Sequence, residues 1–144
     1  MKKKGAQMEY AKERMDDLLT TYDRCIERAK FIRMNDIYAE VAKMPAKRFW
    51  VSDIRASLVV SALIRGENPL KTMWKNKKEM YTEIYRRVKE LAKSRPKLSV
   101  LELCSIVVMQ PAPSFYLTPG STKVMICKAR KEWVKRKMQR LLKR

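Results

Sequence analysis

The sequence predicts an all-α protein built from two pseudo-symmetric helical repeats, and three observations predict it. Apolar residues recur at spacings of three and four through most of the chain, the period of a helix with one buried face. Proline, glycine and capping hydroxyls stand where such helices should stop and start. The chain also matches itself at an offset of 66 residues: MPAKRFWVS at 44–52 returns as QPAPSFYLT at 110–118.

The match extends beyond that motif. Ile37 falls on Leu103, Val41 on Val107, Ala42 on Val108, Pro45 on Pro111, Ala46 on Ala112 and Phe49 on Phe115. Leu18 and Tyr22 upstream fall on Ile84 and Val88, and Val59 and Val60 downstream fall on Met125 and Ile126. A register kept on both sides of a motif reads as internal duplication. The repeats run over about 8–66 and 74–132, with a basic helical extension to 144, all in a single domain of 144 residues that can bury a core.

Each repeat opens with a long amphipathic helix. Met8, Ala11, Met15, Leu18, Leu19, Tyr22, Ile26 and Ala29 make the stripe of the first. Met73, Trp74, Met80, Tyr81, Ile84, Tyr85, Val88 and Leu91 make that of the second, broken only by Lys77. A short helix follows, over 35–43 and 99–109, introduced by Asn35 and Ser99 as caps. Pro45 and Pro111 end the short helices, because proline has no N–H and disfavours helix in the residue before it.

RFWV and SFYL are β-prone and alternate, so each Pro-Ala-x-x-aromatic element reads as a brief extended corner, and the two corners can pair as a two-stranded ribbon. Ser52 and Thr118 then cap the third helix of each repeat, with Pro119 at the favoured first position of the second. The helix over 53–64 stops at the turn Gly66-Glu67-Asn68-Pro69. Its counterpart runs from 119 to about 143, its apolar stripe passing through Ile126, Ala129, Trp133, Met138 and Leu141.

Charge is the strongest compositional signal. Thirty-four Lys and Arg against fifteen Asp and Glu give +19, an excess that polyanions relieve. It is uneven: 71–97 holds ten bases and three acids, 123–144 ten bases and only Glu132, and 103–122 no charge. No apolar run is long enough to span a bilayer, and MKKKGAQMEYAKERM lacks the apolar core of a secretory signal, so a cytoplasmic protein is expected. Cys25, Cys104 and Cys127 are widely spaced and odd in number, without histidine or a CxxC pair, so they read as buried or boundary thiols and not as a disulfide or zinc framework.

The same inventory argues against an enzyme. There is no histidine for general acid–base work, and three glycines make no phosphate-cradling loop. Glu9, Glu13, Asp16 and Asp17 interleave with Lys12 and Arg14 as surface ion pairs do, so no metal site, cofactor or small-molecule substrate is expected.

Nucleic acid, DNA in particular, is the expected partner, met mainly at its phosphates. The candidate contacts on the last helix are Lys128, Arg130, Lys131, Lys135, Arg136, Lys137, Arg140, Lys143 and Arg144. Lys75, Lys78, Arg86 and Arg87 on the long helix of the second repeat, and Arg48 in the first corner, join them. A basic face also suits an acidic protein or virion partner, an anionic membrane surface or plain solvation; membrane is the reading the composition favours least. If Phe49, Val51, Phe115 and Leu117 point inward, alternation turns Trp50 and Tyr116 outward, where they could stack on bases; packing at the corner is the commoner role for such residues.

The order of corner, helix and helix over KRFWVSDIRASLVVSALIRG and the following helix resembles the ribbon-helix-helix DNA-binding family, which implies a two-stranded ribbon in a major groove. The twice-repeated PAxxF[WY] signature, with a hydroxyl three residues after Phe, is similar to that of a family of small basic proteins, mostly uncharacterised, of gut bacteria and their phages or mobile elements. That resemblance implies a mobile-element setting and brings no catalytic residues. The alternative function it allows is a structural or packaged phage component, located inside the particle, whose basic surface serves assembly.

Overall fold

The computed structural model describes residues 4–143, with side chains from Tyr10 onward. It is all-helical: α1 (Lys4–Arg28), α2 (Met34–Lys43), α3 (Asp53–Ile64), α4 (Lys75–Ser94), α5 (Val100–Val108) and α6 (Pro119–Leu142). No described helix is long and apolar enough to cross a membrane.

The expected caps are present at three helix starts. Ser52 accepts from the Arg55 amide, Thr118 from the Ser121 amide ahead of Pro119, and Ser99 forms a reciprocal capping box with Glu102. Gly66 ends the α3 turn at φ 85°, a conformation that favours glycine. Asn35 is not the cap of α2. The helix begins at Met34 after Arg33, because the Ile37 amide already donates to the Arg33 carbonyl at 3.0 Å. Likewise α4 starts only at Lys75, so Met73 and Trp74 precede it and Trp74 is 87 % exposed.

The helices form two compact units whose division does not fall between 66 and 74. One unit gathers α1, α2 and α6; the other gathers α3, α4 and α5 with both corners. In the first, Leu18, Tyr22 and Cys25 of α1 are buried, as are Ile37, Tyr38, Val41 and Ala42 of α2 and Thr122, Ile126 and Ala129 of α6. Tyr22 and Tyr38 stack there with centroids 6.3 Å apart. In the second, Ala56, Val59 and Val60 of α3, Met80, Tyr81, Ile84 and Val88 of α4, and Leu103, Cys104, Val107 and Val108 of α5 are buried.

This division makes a sharp expectation. Cleavage at a protease site placed in the exposed turn at Glu67–Asn68 leaves α1–α3 on one fragment and α4–α6 on the other. Each unit then contains helices from both fragments, so the pieces should co-elute on size exclusion and part only in denaturant. Separation under native conditions would contradict the helix partnership.

The corners meet within the second unit. Ala46 and Ala112 exchange two backbone hydrogen bonds of 3.0 Å as one antiparallel bridge, and the Phe49 amide donates to the Val108 carbonyl at 3.0 Å. Among the described residues this is a clasp and not a two-stranded ribbon. Prolines 45 and 111 supply no donor beside the bridge. The Val51 amide turns back to the Phe49 carbonyl at 2.9 Å, and Tyr116 takes φ 55° with its amide on Ser114 Oγ. Both corners therefore curl instead of extending.

Two further expectations change. Asp17 is 2 % exposed and not a surface acid, because it lies one helical turn before the buried Thr21, on a side of α1 that the packing covers. Asp16 is exposed. The stripe of α6 also leaves the core after Ala129: Trp133, Met138 and Leu141 are 53 %, 54 % and 52 % exposed, left uncovered by the described residues.

Cys25 and Cys104 are buried and Cys127 is exposed. Burial first, with Glu40 beside Cys25 and Asp53 near Cys104, pushes both buried thiols from 9.0 up to about 11. Unfolded thiols lose their protons from about 9 while the folded ones keep them to about 11. Their contribution to stability is thus complete below the lower value and is lost as pH rises through the window. Urea midpoints should fall over that window less steeply in Cys25→Ala/Cys104→Ala than in the native chain. At neutral pH a thiol reagent should label Cys127 quickly and the other two only on unfolding.

Candidate nucleic-acid interface

The basic candidates fall into three settings, and the geometry separates them. The first is the corner. Arg48 is half-buried, donates to the carbonyls of Phe49 (3.1 Å) and Val51 (3.0 Å), and lies 5.2 Å over the Trp50 ring. Tyr116 is half-buried and stacks on Phe49 at 6.2 Å, with burial pushing its hydroxyl pKa up. Arg87 reaches in from α4, 4.9 Å over the Phe49 ring, and donates to the Pro111 carbonyl at 2.9 Å and Gln110 Oε1 at 3.3 Å. Its Nε bonds Glu83 at 2.7 Å. Arg48, Trp50, Arg87 and Tyr116 are thus brought together around Phe49, where they brace the corner.

The second setting is the exposed side of α4. Arg86 makes two bonds to Glu83, of 3.0 and 2.6 Å. The Arg86 and Arg87 guanidiniums together hold the Glu83 carboxyl below the usual glutamate range. Lys75 faces Glu79 at 3.9 Å and Lys93 faces Glu90 at 3.4 Å, while Lys78 is exposed. An open groove lined by Arg86, Arg87, Glu90, Lys93 and Gln110 lies here. Arg86 and Arg87 share the Glu83 carboxylate and Lys93 has Glu90, so its bases are all engaged and little positive charge is left for an anion.

The third setting is α6, and it differs. From Arg130 to Lys143 every residue is exposed, and no base of this helix forms an ion pair among the described residues. Arg130 lies 5.9 Å over Tyr22 and Lys137 4.9 Å over Trp133, contacts that leave their charge uncompensated. Spacing divides the bases into ridges. Lys128, Lys131 and Lys135 share one side of the helix, and Arg136, Arg140 and Lys143 share another about a third of a turn away. Arg144 lies outside the described residues.

Composition and spacing alone did not separate these settings, because bracing arginines and free ones look alike in a charge count. The pairing of Arg86 with Glu83 at i,i+3 and of Arg87 at i,i+4 was the available signal. No protein-family model, curated protein or solved structure matches the chain.

Proposed function

We propose that this protein binds nucleic acid without catalysing a reaction on it, gripping the phosphate backbone with the basic length of α6. The observation that carries the reading is that the bases of α6 from Lys128 to Lys143 are all exposed and have no carboxylate partner among the described residues. Charges left unmatched in the folded state are those free to displace counterions from a polyanion.

The two ridges favour duplex DNA. A helix lying in a major groove has phosphates on both flanks, so bases on two sides of one helix can be used at once. The length from Lys128 to Lys143 is roughly 23 Å at 1.5 Å per residue, enough to follow such a groove. Bases on α4 and at the corner play a lesser part, being largely engaged within the protein.

The internal duplication belongs to the same proposal. Leu18 and Ile84, Ile37 and Leu103, Val41 and Val107, Ala46 and Ala112, Phe49 and Phe115, and Val60 and Ile126 are buried pairwise at the 66-residue offset. With α6 beside α1 and α2, and α3 beside α4 and α5, the repeats have exchanged their third helices. The second copy of that helix lengthened and acquired the charge. A mobile-element setting is part of this reading through the PAxxF[WY] resemblance.

The test is an electrophoretic shift with duplex DNA, single-stranded DNA and RNA across a salt series. Tightest binding to duplex, falling steeply with salt and similar for unrelated sequences, is the expected result. No binding to any of the three at low salt would remove the proposal and favour a charge that serves assembly of a particle.

A further inference from the structure

The bases of α6 do not explain its apolar residues. Val124, Cys127, Lys131, Val134, Met138 and Leu141 follow one another at spacings of 3, 4, 3, 4 and 3. This is the a/d pattern of a coiled coil, with one interruption at Lys131. All six are exposed; Val124, Val134, Met138 and Leu141 show 67 %, 51 %, 54 % and 52 % of their surface. Apart from Cys127, which meets the Tyr38 hydroxyl of α2, the line is separate from the face that α6 gives to its own unit. Thr122, Ile126 and Ala129 are 0 %, 0 % and 3 % exposed, and the seam is centred roughly 140° around the helix from them.

The positions beside the seam settle what can pair with it. Lys123, Arg130 and Lys137 run along one edge and Lys128 and Lys135 along the other, with no acid among them. In a coiled coil these edge positions face the partner's and choose it by charge. A second copy of this chain would set like charges against like, which opposes pairing. A helix with glutamates or aspartates at its edge positions would meet each base with a carboxylate. Lys131 inside the seam calls for an acid opposite it and so fixes the register.

We infer that α6 carries a docking seam for an acidic amphipathic helix of a partner protein, which buries Val134, Met138 and Leu141 while its carboxylates meet Lys128, Arg130, Lys135 and Lys137. The inference does not rest on nucleic-acid binding. Because the two ligands would share these bases, an acidic helix bound here would also block phosphate contact.

The experiment uses the full chain and a synthetic helix of about three heptads, with leucine at the a and d positions, one glutamate opposite Lys131 and glutamates at the edges. A control peptide has the same composition with its leucines out of register. Binding is read by fluorescence anisotropy and helix gain by circular dichroism. The in-register peptide should bind at least about tenfold more tightly than the control, a difference within reach of a few buried apolar side chains. Val134→Gln/Met138→Gln/Leu141→Gln should erase that difference while the thermal transition stays in place, since all three side chains are already exposed.

Equal binding of both peptides would mean charge alone acts and would overturn the seam. So would undiminished preference in the triple variant. Sedimentation showing a self-associated chain that the triple variant dissociates would assign the seam to a second copy. If neither peptide is preferred and the triple substitution abolishes retention on phosphatidylserine–phosphatidylcholine vesicles, the seam would belong to a lipid surface.

Discussion

Phe49→Ala is expected to lower the unfolding free energy by about 3–5 kcal/mol, the loss typical of an aromatic removed from a close-packed site. The ring is 1 % exposed, lies against Tyr116 at 6.2 Å and carries the Arg87 guanidinium at 4.9 Å. Truncation would leave a cavity at the clasp and loosen the hold of α4 on residues 110–116. The amide of residue 49 would still reach the Val108 carbonyl, so the backbone path survives and the loss is one of packing. Phe49→Leu should recover a substantial part of it. Urea unfolding with an unchanged m-value checks this, and a midpoint equal to that of the native chain would show that the corner bears no load.

The second large effect is on binding. Lys135→Gln/Arg136→Gln/Lys137→Gln/Arg140→Gln should weaken duplex DNA binding by up to about 10³-fold at about 0.1 M salt if all four residues meet phosphates. The slope of log K against log salt should flatten by about 0.9 for each phosphate no longer neutralised. Gln preserves the helix, being a comparable helix former, and the weakening should be similar on unrelated sequences, since phosphate contacts position without reading bases. Lys75→Gln/Arg86→Gln should cost much less, because these bases face Glu79 and Glu83. An equal effect from both variants would place the interface on net charge and not on α6.

The helices and most of their ends were legible from the residues alone. Spacings of three and four required helices, Pro45 and Pro111 ended two of them, and Ser52, Ser99 and Thr118 began three, because these effects act between residues within a turn or two of each other. The basic character of α6 was equally plain. Long-range packing, in contrast, chose which helices lie together, whether Asp17 is buried, and which arginines are occupied. Arg87 is spent on Glu83, Gln110 and Pro111, and two of those three partners lie far along the chain, beyond any local pattern.

The stripe of α6 shows the same limit most clearly. Ile126 and Ala129 are buried while Trp133, Met138 and Leu141 are exposed. An apolar period states that a face exists; burial requires a neighbouring element to cover it. For α6 that cover ends at Ala129: Tyr22 of α1 lies against Arg130, yet among the described residues every one from Arg130 to Lys143 stays exposed.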